Sequence, residues 1–281
     1  MLTVGAVSYH PRVVTIWERF REYFADAGVP TDYVLYSNYE HQVEDLVAGT
    51  VDVAWNSPLA WVRTRRLAIA SGGQGRALAM RDSDRDLTSV VVVREGSGID
   101  GIADLKGKVV GAGAVDSPQA TLLPLDHLGR FGVGSREVTV RRFEVGVGLH
   151  GDHVGGERDA ARALVAGEVD AACMIDGNHL LFGQEGTLPP GSTRVLAQTP
   201  VYDHCTMAIV DTAPAAEAAE FVRLLGSMSY ADPEVRPLLD LEGLKQWVPG
   251  RTSGFGPLTR AVDETGFYDA AGAVTAAEYR P

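Results

Sequence analysis

The segment LVAGTVDVA at positions 46–54 returns as LVAGEVDAA at 164–172, identical at seven of nine positions. Self-similarity at so long a separation marks a duplicated structural unit. Each copy closes an amphipathic run (41–48 and 157–166), passes a glycine suited to the left-handed position after a helix (Gly49, Gly167), and enters a short apolar strand. A helix that feeds a strand twice in this way predicts two α/β lobes built on one plan. At 281 residues the chain is long enough for two lobes of ordinary domain size, each with a core.

The surrounding pattern agrees. The sequence predicts a strand over 3–8, a helix over 13–27 closed by Gly28, a strand over 32–36, a helix ending at Ala48 and a strand over 51–55. Such alternation implies a mostly parallel sheet flanked by helices in each lobe. A β-branched run, Ser89 to Arg94, and the apolar runs 194–196 and 206–210 complete the coarse reading. We expect a discontinuous first lobe, 1–93 with 202–281, and a second lobe, 94–201, joined by two hinge crossings. In open α/β sheets ligands sit beyond the carboxyl ends of strands, so facing lobes share a cleft.

Charge and motifs remove several classes. With 37 acidic and 25 basic side chains the formal net charge is -12, which repels polyanions and argues against nucleic acid or an anionic membrane surface as partner. No apolar run has the length of a membrane span, and the first residues lack the pattern of a signal peptide and a lipidation cysteine. Cys173 and Cys205 stand alone, without zinc spacing; a pairing between them stays open. No nucleophile elbow, zinc-protease, P-loop or dinucleotide motif is present, and no cofactor is expected.

The strand-end segments are candidate cleft walls: Ser8-Tyr9-His10, Tyr36-Ser37-Asn38-Tyr39, Trp55-Asn56-Ser57-Pro58, Val115 to Gln119 with Ser117 and Gln119, and Asp176-Gly177-Asn178. Hydroxyls, amides and rings suit binding rather than catalysis. Ser37, Asn38 and Ser117 equally suit helix capping, and Tyr39 and Trp55 equally suit a core. His150, Asp152, His153 and Glu157 form a metal-like cluster, but their glycine-rich setting reads as a solvated loop.

Four stretches carry a resemblance: NYEHQVEDLVAGTVDVAWNSPLAWVR (38–63), DLKGKVVGAGAVDSPQATLLPLDHL (104–128), ERDAARALVAGEVDAACMID (157–176) and LLDLEGLKQWVP (238–249). The chain resembles the phosphate, phosphite and phosphonate substrate-binding proteins of ABC transporters, which have the type II periplasmic-binding fold. The resemblance implies two lobes closing over a small anion, an ABC permease partner and an extracytoplasmic location. By position it implies that Tyr39, Asn56, Ser57 and Ser117 face the ligand, while Trp61 stands where the family commonly has tyrosine. Three positions depart from the pattern: Gln119 replaces a serine, Ala120 a glycine, and Glu157 a histidine that helps hold the anion.

A carboxylate in place of an imidazole would repel a phosphonate. Together with Asp176, placed where an acid could hold an ammonium group, Glu157 predicts a zwitterionic ligand or a larger neutral molecule stacked on Tyr39 and Trp61. The leading expectation is therefore a solute-binding protein without enzymatic activity. An alternative is an intracellular binding, sequestration or self-resistance protein of a natural-product pathway, such as an enediyne pathway, which the missing leader allows. A third reading, a biosynthetic enzyme on the same fold, rests on His10, His204 and Cys205; Cys205 reads more simply as a buried strand residue.

Overall fold

The computed structural model describes residues 1–152 and 154–281. Among these residues the chain forms β1 (Leu2–Val7), α1 (Arg12–Asp26), β2 (Thr31–Tyr36), α2 (Tyr39–Ala48), β3 (Val53–Asn56), α3 (Pro58–Ala70) and β4 (Gly75–Arg81). It then crosses to β5 (Ser89–Arg94), β6 (Val109–Ala112), α4 (Leu123–Arg130), β7 (Thr139–Arg142), α5 (Gly155–Val165), β8 (Ala171–Ile175), α6 (Asp176–Gln184) and β9 (Thr193–Gln198). It returns through β10 (Thr206–Val210), α7 (Ala215–Ser227), α8 (Arg236–Glu242), β11 (Trp247–Pro249) and α9 (Gly256–Thr265).

Two mixed sheets result, ordered β11-β4-β10-β3-β1-β2 and β7-β6-β8-β5-β9. In each, a parallel trio with its helices forms the repeated plan, while the strands that cross between lobes, β5 and β10, pair antiparallel with both neighbours. The repeat has a structural reason. Gly49 and Gly167 take φ of 76° and 78°, the left-handed turn that releases α2 and α5. Asp52 Oδ2 then accepts the backbone N–H of Thr3 at 2.8 Å, and Asp170 Oδ2 that of Val109 at 2.9 Å. Both aspartates clamp the start of the adjacent strand in the same way.

The first crossing comes earlier than the sequence suggests. β5 belongs wholly to the second sheet, where it lies between β8 and β9, so the chain leaves the first lobe between Arg81 and Ser89 rather than after 93. Val90 to Val93 are apolar on both faces and buried, a pattern that fits the middle of either sheet. The two crossings touch: Leu87 and Tyr202 exchange both backbone hydrogen bonds, at 2.9 and 2.8 Å. Tyr202 Oη and Ser89 Oγ meet at 2.9 Å beside them.

Helix α1 buries Ile16, Trp17, Phe20 and Phe24 against the first sheet and α7. There the rings of Phe24 and Phe221 stack at 4.7 Å, and Phe221 is wholly buried. Truncating such a ring removes its burial energy and leaves a cavity. Phe221→Ala is expected to lower the unfolding free energy by about 3–5 kcal/mol, read as a lower urea midpoint with an unchanged slope.

Candidate ligand-binding site

Between the two sheets lies a cavity of about 210 Å³. Tyr9, Arg12, Trp55 and Arg81 line it from the first lobe, Gln119, Gly151, Asp152, Ile175 and Asn178 from the second, and His204 and Cys205 from the return crossing. A larger depression of about 430 Å³, bounded by Asp82, Tyr230, Asp240 and Lys245, lies wholly on the first lobe and away from this junction. We therefore take the interlobe cavity as the site, since both lobes contribute to it.

Arg81 is fully committed to the protein. Its Nε and Nη2 form a fork on Asp84 at 2.6 and 2.9 Å, and Nη1 donates to the Glu242 carbonyl at 2.9 Å. Its guanidinium also lies 5.1 Å over the Trp55 ring. Burial favours the neutral form of Asp84, but Arg81 and His204 outweigh it and hold the carboxyl near about 2. Arg12, exposed at the mouth, lies 5.7 Å over the Tyr9 ring and makes a long contact of 3.4 Å to Tyr9 Oη, with no carboxylate paired to it among the described residues.

The opposite wall is rich in acceptors. Glu157 is buried behind Gln119 and Asn178; its Oε2 accepts from Asn178 Nδ2 at 2.8 Å and from the Ile175 N–H at 3.0 Å. Its Oε1 and the Oε1 of Gln119 are buried with no hydrogen-bond partner. Burial pushes the Glu157 carboxyl up to about 7, against the lowering pull of Asn178, the Ile175 amide, the neighbouring Gln119 amide and His204. Glu242 is likewise raised to about 7 by burial, with Arg81 opposing.

The sequence-predicted residues divide into two groups. Tyr9, Trp55 and Gln119 line the cavity, and Glu157 stands directly behind it. Ser8 and His10 are exposed at the end of β1. Asn56 is wholly buried, accepting from Gln42 Nε2 at 2.9 Å and donating to Thr64 Oγ1 at 2.9 Å. Trp61 is wholly buried against Phe255 at 5.9 Å, and Asp176 accepts from Thr88 Oγ1 at 2.8 Å in the first turn of α6.

Tyr39, Ser57 and Ser117 converge on something unexpected, an imidazole of the chain itself. His150 is wholly buried, unlike the solvated loop that its glycine-rich setting suggests. Tyr39 stacks on its ring at 4.8 Å, Ser57 Oγ meets its Nδ1 at 2.7 Å, and Glu40 Oε1 lies 3.0 Å from its Nε2. The next residue, Gly151, packs so closely on the Ser117 loop that a Cβ there would lie 2.5 Å from Ser117 Oγ and 2.6 Å from Gln119 Nε2. Ser117 itself caps the following turn, accepting from the Ala120 N–H at 3.2 Å.

The loop is held in place from every side. Asp116 Oδ2 accepts the N–H groups of Gly148 (2.7 Å) and His150 (3.1 Å), the Tyr39 N–H donates to the Gly148 carbonyl at 3.0 Å, and Tyr39 Oη donates to Asp152. From the C-terminal segment Tyr268 and Tyr279 donate to the two oxygens of Glu40 at 2.8 and 2.6 Å. His150 accordingly keeps φ at 49°, a left-handed backbone that a non-glycine residue adopts at a cost of order 1–3 kcal/mol. Burial would lower the His150 pKa, but Glu40, then Asp116 and Asp152, outweigh it and raise it; the same pairing brings Glu40 down to about 2.

The metal-like cluster of the sequence separates: His150 faces Glu40, Asp152 faces Tyr39, and Glu157 faces Asn178, while His153 lies outside the described residues. Cys173 and Cys205 are both free and buried, the first in β8 and the second on the crossing just before β10. Arg12 and Arg81 were not singled out by the sequence; Asn178 was named only within a strand-end segment, Asp152 only in the metal-like cluster, and His204 and Cys205 only for the enzyme reading. Neither His204 nor Cys205 was placed on the cleft wall by a reading of strand ends, although the segment QTPVYDHC already reads as a crossing between lobes.

With this geometry in hand, comparisons with known proteins give a consistent picture. Residues 4–255 match the family model described as "ABC transporter, phosphonate, periplasmic substrate-binding protein". PhnD1 of Prochlorococcus marinus, solved in complex with methylphosphonate, superimposes with a TM-score of 0.70 at 17% identity, covering 95% of this chain and 98% of that one. A Xanthomonas citri protein solved with ATP superimposes with a TM-score of 0.72 at 16% identity, covering 94% and 97%. At these identities the likeness is one of fold. An uncharacterised Haemophilus influenzae protein is 28% identical over 117 residues, 42% of this chain and 84% of that protein.

The charged Glu40–His150 pair has a testable sign. The raised pKa of His150 means that its stabilisation is complete below the ordinary 6.5 and is lost as pH rises through the folded-state value. His150→Ala leaves Glu40 buried without its cation and is expected to cost about 3–5 kcal/mol in acidic solution. Denaturant unfolding across pH should show that the variant also lacks the wild-type loss of stability above 6.5.

Proposed function

This chain belongs to the periplasmic substrate-binding proteins of phosphonate ABC transporters, and we propose that it binds a small zwitterionic solute whose inner end is cationic and donates hydrogen bonds. The observation that carries this reading is the pair of buried, unpartnered acceptors, Glu157 Oε1 and Gln119 Oε1, on the second-lobe wall. A buried acceptor without a donor costs about 1–3 kcal/mol. A ligand ammonium group supplies those donors and neutralises a carboxylate whose burial otherwise favours protonation. Arg12 at the mouth suits the anionic end, because Arg81 is consumed by Asp84 and Glu242.

Size narrows the class further. The cavity of about 210 Å³ is smaller than the roughly 300–1,000 Å³ of ordinary ligand pockets. Such a volume favours a compact metabolite over a larger stacked molecule, and neither Tyr39 nor Trp61 offers a free ring face. The loop that carries His150 packs against the Ser117 turn, where the family resemblance would seat a simple oxyanion. Binding without chemistry, followed by delivery to an ABC permease, is the role we infer. No helix among the described residues is long and apolar enough to cross a membrane.

A matched pair of ligands tests the reading. Aminomethylphosphonate and methylphosphonate differ by one amine, so calorimetric titration isolates the contribution of the cationic end. We expect the amine to bind at least about tenfold more tightly, a difference of about 1.4 kcal/mol, and Glu157→Gln to abolish that preference. Equal or tighter binding of methylphosphonate would refute the assignment.

A further inference from the structure

The base of the cleft holds a second cluster that the ligand reading does not use. Asp84, His204 and Cys205 are buried, and their donor atoms all lie within 4.8 Å of one another. His204 Nδ1 is 3.1 Å from Cys205 Sγ and 3.6 Å from Asp84 Oδ1. In a nucleophilic relay an imidazole faces the thiol with one ring nitrogen and the carboxylate with the other. Here a single nitrogen faces both, so sulfur, nitrogen and oxygen donors gather within 4.8 Å of one another. Burial also pushes the Cys205 thiol well up, with Asp152 and Asp84 adding to the effect, which is the reverse of an activated nucleophile.

Converging donors of mixed softness are the signature of a transition-metal site. Zinc bonds of about 2.0–2.3 Å in tetrahedral geometry place donors about 3.3–3.6 Å apart, near the 3.1 and 3.6 Å that His204 Nδ1 makes with Cys205 Sγ and Asp84 Oδ1. Charge supplies an independent argument. Asp152 lines the cavity and Asp84, Glu157 and Glu242 are buried near it, four carboxyl groups against the Arg81 guanidinium and the His204 ring, with Arg12 exposed at the mouth. A dication at the cluster would offset this excess. Arg81 occupies one lone pair on each oxygen of Asp84, which leaves a second on Oδ1 for an ion.

We propose that Cys205 Sγ, His204 Nδ1 and Asp84 Oδ1 bind a thiophilic divalent transition-metal ion, zinc by preference, with a fourth position left to solvent. Asp152 Oδ1 faces Cys205 Sγ from the second lobe at 4.0 Å, outside the group of mutually close donors. The Cys205 thiol gives up its proton to solvent as the sulfur–metal bond forms. The Gln119 and Glu157 end of the cavity stays free for a solute.

The chelator-treated full chain is titrated with zinc by calorimetry and with cobalt by absorption spectroscopy. We expect uptake of a single ion and a near-ultraviolet thiolate-to-cobalt charge-transfer band. Cys205→Ser should remove the band, and His204→Gln should weaken affinity by about tenfold or more, with circular dichroism of the metal-free variants checking their fold. Cys173→Ala, which removes the other thiol, should leave band and affinity unchanged. Absence of stoichiometric uptake by the wild-type chain, a cobalt spectrum without the thiolate band, or a band that survives Cys205→Ser would each overturn the site. None of these readouts depends on the identity of the organic solute.

Discussion

A carboxylate with 4% of its side chain exposed must be paired or give up its charge, and Glu40 is paired with the wholly buried His150 at 3.0 Å. Around this contact the first lobe supplies Glu40, Tyr39 and Ser57, the second supplies His150 and Asp116, and the C-terminal segment supplies Tyr268 and Tyr279. Three separate parts of the chain are therefore held by one charged pair and its hydrogen bonds. The left-handed backbone at His150 persists because these partners over-determine it.

That arrangement decides what the cleft can recognise. Tyr39, Ser57 and Ser117 are spent on the chain's own loop, so the open space shifts toward Tyr9, Trp55, Gln119 and the crossings. Arg81, the inner guanidinium of that space, is spent on Asp84 and Glu242. A set of acceptors on the second lobe and the charge of Arg12 at the mouth stay uncommitted. On the proposed reading, a family scaffold is thus left with a polarity that favours donors inside and an anion outside.

Much of the scaffold was legible because its signals are local. The repeat, its glycines and the strand-clamping aspartates lie within a few residues of the helix ends they control. Tyr9, Trp55 and Gln119 were legible because they lie at or just beyond strand ends, where open α/β sheets place their ligands. The sheet that β5 joins was not legible, because a run buried on both faces fits either lobe. The role of His150 was hidden for a different reason: its partners Ser57, Glu40 and Tyr279 are 93, 110 and 129 residues away, and a glycine-rich loop bearing His and Asp reads as solvated. His204 and Cys205 were singled out only for an enzyme reading and not as cleft walls, because they lie on a crossing rather than at a strand end.

The charge state of one ring decides whether the Glu40–His150 pair joins the lobes. Ring nitrogen NMR of His150, followed through a pH titration, reports whether the imidazole is charged and enclosed. Both ring nitrogens should stay protonated at neutral pH, with titration above the ordinary 6.5. A neutral ring at that pH, or titration at or below the ordinary value with free solvent exchange, would contradict the claim that a buried ion pair holds the two lobes together.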